Sequence, residues 1–144
     1  MRREVARAIA LAGAAIAALG CDHFGPTGVR IGVEYEPGGY TFHFTSCRGA
    51  PIGVNGIRIV NVDVQGSGAG HDAQYCQVEL RASQPIRGSW RYGSVPSSGV
   101  FETQCRALKP GKYLADVSGG EAGGYRDFRI EENGSVKLGK GTCD

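Results

Sequence analysis

The chain has 144 residues, with 16 Lys+Arg against 14 Asp+Glu and a formal net charge of +2. Three of the basic residues and one of the acidic ones fall within the first twenty positions, leaving thirteen of each sign beyond them. The body of the chain is therefore formally neutral, which removes the electrostatic footprint expected of a nucleic-acid binder and of a protein drawn broadly to anionic lipid. With 24 glycines, a single methionine and no ten-residue stretch of clean 3.6 periodicity after the first twenty residues, the composition argues against helix. Short bursts of valine, isoleucine, threonine and aromatics between glycine and proline predict an all-β domain instead.

The first element is an export leader. Arg2, Arg3 and Arg7 give a positive start, and Ala8 to Leu19 is an uncharged apolar run of twelve residues. That is short of the roughly twenty needed to cross a bilayer. Ala18-Leu19-Gly20-Cys21 closes the run and resembles the lipobox of bacterial lipoproteins. The resemblance implies cleavage before Cys21, a diacylglyceryl group on its thiol, and a mature chain of 124 residues beginning there. A plain secretory leader fits the same charge and length, but it leaves Cys21 as an unexplained thiol. The expected organisation is a signal peptide at 1–20, forming a helix, a lipidated tether at 21–28, and one domain at 29–144. The expected location is the outer side of a bacterial inner or outer membrane, the periplasmic face favoured, and Asp22 resembles the inner-membrane retention signal of enteric-type lipoproteins.

Strand signals follow in order. Val29, Ile31, Val33 and Tyr35 alternate with Arg30, Gly32 and Glu34; Glu36-Pro37-Gly38-Gly39 is a turn; Tyr40, Phe42 and Phe44 alternate with Thr41, His43 and Thr45. These two runs read as a hairpin. Residues 56–65 are β-rich with a parity shift, which means either two covered faces or a bulge near Ile59-Val60. Cys76, Val78 and Leu80 alternate with polar neighbours, and Ile86, Trp90 and Tyr92 share a face opposite Arg87, Ser89 and Arg91. Strands are expected at Val100–Cys105 and Tyr113–Val117, and at Phe128–Ile130 returning through Asn133-Gly134, a tight primed turn, to Val136 and Leu138. Gly93–Gly99 and Ser118–Gly124 read as loops. The total is about nine short strands.

Leu108-Lys109-Pro110-Gly111-Lys112-Tyr113, leading to Val117, resembles a turn of immunoglobulin-like and transthyretin-like sandwiches, in which the tyrosine opens the next strand and packs at the corner. The resemblance implies a single antiparallel β-sandwich and speaks to fold alone, because such modules host unrelated functions. With Cys21 set aside for lipid, Cys47, Cys76, Cys105 and Cys143 form an even set, open to three pairings in an exported protein. The sandwich topology favours Cys105–Cys143 and hence Cys47–Cys76. No pair has the Cys-x-x-Cys spacing of structural zinc, and neither metal nor cofactor is expected.

Candidate chemistry is sparse. His23 reads as a tether residue and His43 as a surface residue on the polar strand face. His71-Asp72 sits in a glycine-rich loop, but adjacency in sequence does not orient a carboxylate against an imidazole. The glycines at 66, 68 and 70 lead into a strand rather than the helix that a phosphate cradle requires. Arg91, Tyr92 and Tyr125 are the candidate binding residues: tyrosine and arginine framed by glycine- and serine-rich loops suit contact with a partner. The expected function is a non-catalytic, lipid-anchored envelope module engaging a protein or glycan. A periplasmic small-ligand binder or hydrolase inhibitor comes second, and a hydrolytic enzyme using His71 third.

Overall fold

A computed structural model describes residues 27–64, 73–97, 99–119 and 122–144. The leader, Cys21, its tether up to residue 26, and His71-Asp72 lie outside the described residues. Eleven strands and no helix are found among the described residues: β1 (Thr27–Glu36), β2 (Gly39–Ser46), β3 (Gly53–Val54), β4 (Gly56–Asn61), β5 (Gln74–Leu80), β6 (Ile86–Arg87), β7 (Ser89–Arg91), β8 (Gly99–Thr103), β9 (Gly111–Gly119), β10 (Ala122–Ile130) and β11 (Val136–Gly141).

Nine of these form one curled sheet of order β7-β2-β1-β10-β9-β4-β5-β8, with β11 also paired to β10, while β3 and β6 make a separate two-stranded ribbon. The sheet is mixed. β1 begins parallel to β10 at Thr27↔Ala122 and Gly28↔Gly123, then pairs antiparallel with β2 from Val29↔Ser46 to Glu36↔Gly39. Gly124 permits the close approach, because a Cβ there would stand 2.1 Å from the Val29 carbonyl oxygen.

Curling brings the apolar faces together. Val29, Ile31, Phe42 and Phe44 of the first hairpin are fully buried, as are Ile59, Cys76, Val78 and Ala115 of the larger part of the sheet. Phe42 meets Phe128 edge-on at 5.7 Å, and Phe128 stacks on Tyr113 at 5.4 Å. The Tyr113 hydroxyl reaches back, donating to the Lys109 carbonyl at 2.8 Å. Burial raises the Tyr113 pKa despite that hydrogen bond, so the phenol stays neutral inside the core.

The parity shift in β4 is a bulge: the β4–β5 register slips between Ile59 and Val60. The expected 86–92 run is broken at Gly88, whose φ of +77° turns β6 toward β3 and β7 toward β2. The count rises from about nine to eleven through such short segments, which carry too few residues to show a period. Ser118–Gly124 is not an extended loop, because β9 and β10 stay paired as far as Ala122↔Gly119.

The disulfide pairing expected from the sandwich resemblance is corrected. Cys47 bonds Cys143 and Cys76 bonds Cys105, not Cys47–Cys76 and Cys105–Cys143. β8 lies directly beside β5, with Gln77 opposite Thr103, so Cys105 arrives next to Cys76 at a Cα separation of 4.2 Å. Cys47 follows β2 where β1 begins, and β11 ends at the same place, opposite Arg126, so Cys143 meets Cys47. Disulfides belong to an oxidising, extracytoplasmic setting.

Candidate functional site

The first hairpin presents a polar outer face whose arrangement follows from its turn. With Pro37-Gly38 as the two-residue loop, Glu36 pairs with Gly39, Tyr35 with Tyr40, Glu34 with Thr41 and Gly32 with His43. Gly38 adopts φ +95°, which favours glycine. Strand alternation sends Val29, Ile31 and Val33 inward, so Glu34, Glu36, Thr41 and His43 face out together.

There the His43 Nε2 lies 3.3 Å from Glu34 Oε2. Thr41, only 8 % exposed, donates its hydroxyl to Glu36 Oε2 at 2.7 Å and holds that carboxylate against the strand. One donor atom from each of Glu34, Glu36 and His43 lies within 4.8 Å of the other two. Gly32, opposite His43, places no side chain beside the imidazole. Among the described residues neither glutamate has a lysine or arginine within ion-pair distance.

Arg91 borders this face from β7, across β2 at the Thr41 position. Its Nη2 donates to the Pro37 carbonyl at 3.2 Å, bracing the turn. Tyr92 points the other way. Its ring packs against Trp90 at 5.7 Å and Phe42 at 6.2 Å, and its hydroxyl donates to the Arg106 carbonyl at 2.6 Å. Burial, with the neighbouring Tyr113 adding to it, pushes the Tyr92 pKa far above the usual tyrosine range. The residue thus ties the segment carrying Cys105 to the core. Tyr125 lies on the outer face of β10, opposite Asp116, whose carboxylate accepts from Arg58 at 2.7 Å. β2 and β1 separate it from Arg91, so the structure does not gather Arg91, Tyr92 and Tyr125 into one patch.

Glu34 and Glu36 are the site residues that the sequence reading passed over. The signal is present in the sequence, since alternation and the turn set their register on the polar face that carries His43. A second feature is an open groove of about 520 Å³ along β10 and β11, lined by Val62, Tyr113, Phe128 and Leu138 and flanked by Lys112 and Lys137.

Comparison of the chain with family models, with curated proteins and with solved structures finds no match.

Proposed function

We propose that the protein is a lipid-anchored, non-catalytic binding module of the bacterial cell envelope, held through Cys21 and engaging a protein or glycan with the outer faces of its sheet. The observation that carries this reading is the cysteine arithmetic. Cys47, Cys76, Cys105 and Cys143 pair among themselves, which leaves Cys21, at the end of the lipobox-like leader, as the fifth. A sulfur left over in an oxidising compartment, directly after an export signal, is accounted for by acylation. Stable anchoring needs more than one acyl chain, since a single chain binds marginally at about 0.8 kcal/mol per buried methylene.

We read the curled sheet as an immunoglobulin-like sandwich. The Tyr113 hydrogen bond to Lys109 and the passage of β1 from β10 to β2 support that reading. Exposed Tyr125 and Arg91 supply aromatic and cationic contact groups on two separate faces. The groove along β10 and β11 favours a second reading, a small-ligand binder, because its volume falls in the range of about 300–1,000 Å³ typical of ligand sites. Native mass spectrometry of the freshly purified protein separates the two, showing bound small-molecule mass only in the second.

The primary test is metabolic labelling with palmitate in the native host, paired with photocrosslinking from positions 91 and 125. Label enters the wild-type chain and not Cys21→Ser, which is released from the membrane fraction, and a discrete crosslinked species forms from an exposed position. Absence of label from the wild type overturns the anchor; absence of any adduct from both positions overturns the binding faces.

A further inference from the structure

The geometry points to a divalent transition-metal site on the outer face of the first hairpin, with the His43 imidazole and the Glu34 and Glu36 carboxylates as ligands and Zn²⁺ as the reference ion. It is independent of the anchor and of any partner.

The donor set fits a borderline cation. Zinc takes imidazole nitrogen and carboxylate oxygen at about 2.0–2.2 Å, and tetrahedral placement sets such donors about 3.4 Å apart. His43 Nε2 and Glu34 Oε2 already stand 3.3 Å apart. Glu36 completes the triangle, with a carboxylate oxygen within 4.8 Å of the other two donors. Its Oε2 accepts from the Thr41 hydroxyl at 2.7 Å. A buried hydroxyl orienting a ligating carboxylate is the outer-shell support that metal sites require.

Electrostatics act in the same direction. Two carboxylates face one imidazole, with no guanidinium or ammonium within ion-pair distance among the described residues. A divalent ion balances that pair. The ligands sit on two hydrogen-bonded strands whose turn is braced by Arg91, so little conformational freedom is lost on binding. Three protein ligands leave the remaining position to water or to a group on a partner.

The test is isothermal titration of the full-length, disulfide-intact chain with zinc chloride, with Co²⁺ absorption reporting the ligand field. Wild type takes up one ion per chain. His43→Ala abolishes uptake, Glu36→Gln weakens it, and Thr41→Val weakens it by about 10–100-fold without removing a ligand. His23→Ala, His71→Ala and Glu132→Gln bind as wild type. All of these positions except Thr41 lie on the surface or outside the described residues, and thermal melting confirms that each variant is folded. Wild type that takes up no zinc, His43→Ala that binds equally well, uptake lost with His71→Ala instead, or Ca²⁺ displacing Zn²⁺ at equal concentration each overturn the assignment.

Discussion

Arg126 carries an inward strand position that ordinarily holds an apolar side chain. Its parity is that of Phe128 and Ile130, and it is 5 % exposed. Its Nε donates to the Ile31 carbonyl at 2.9 Å, and its Nη1 donates to the Gly139 carbonyl at 2.9 Å and the Asp144 carboxylate at 2.7 Å. One planar cation thus joins β1, β11 and the segment after β11, a task lysine's single point charge does not reproduce. Removing the guanidinium leaves the Ile31 and Gly139 carbonyls without their donor, at about 1–3 kcal/mol each, while the half-exposed Asp144 carboxylate keeps its access to solvent. Arg126→Ala is expected to lose about 3 kcal/mol in urea unfolding. Arg58→Ala, which breaks the exposed pair with Asp116, is expected to lose less than about 1 kcal/mol. Equal losses refute the assignment of Arg126 as the junction.

At the scale of single elements, packing of β10 against β1 depends on one missing side chain. An alanine Cβ at position 124 meets the Val29 carbonyl oxygen at 2.1 Å, and backbone does not yield as a flexible side chain does. Gly124→Ala is expected to cost about 1–3 kcal/mol, as overpacking does. Gly32→Ala, whose nearest contact is His43 Cβ at 3.6 Å, is expected to be neutral or to stabilise by up to about 1 kcal/mol through the unfolded chain. Paired thermal melts check both. The same elements show what was legible in the sequence. The first hairpin, its turn and the place of the Asn133-Gly134 reversal were readable, because each is set by local alternation and turn chemistry. The β4 bulge was one of two readings that the parity shift allowed. The primed type expected at Asn133-Gly134 is corrected: Gly134 takes φ +85° and donates its N–H to the Glu131 carbonyl, but Asn133 does not adopt the positive φ that a primed turn needs there. The parallel start of β1 and the β5–β8 adjacency are set by which distant strands meet, and nothing in a run of alternating residues carries that. The disulfide expectation failed there. The candidate site was visible only as a face: alternation and the turn put His43, Glu34 and Glu36 on one polar side, while the approach of their donor atoms to within 4.8 Å needed side-chain geometry.

For the molecule as a whole, the two disulfides divide the work unequally. Cys76–Cys105 joins neighbouring strands across a separation of 29 residues, and Cys47–Cys143 spans 96. In the chain-entropy model these closures stabilise by about 3.6 and 4.7 kcal/mol. Small domains have net stabilities of about 5–15 kcal/mol. Cys47→Ser/Cys143→Ser is therefore expected to lose about 4 kcal/mol or more and to melt well below the wild type by differential scanning calorimetry. A shift of only a few degrees indicates that strand pairing alone holds the two ends together.

The path of β1 also decides how the molecule bears mechanical load. Tension entering through the residues before Thr27 pulls β1 lengthwise, against eight paired positions on β2 and the parallel contact with β10. Those hydrogen bonds lie across the pull, so they resist in shear together rather than unzipping one by one. A load applied at that end would therefore be shared along the whole length of β1.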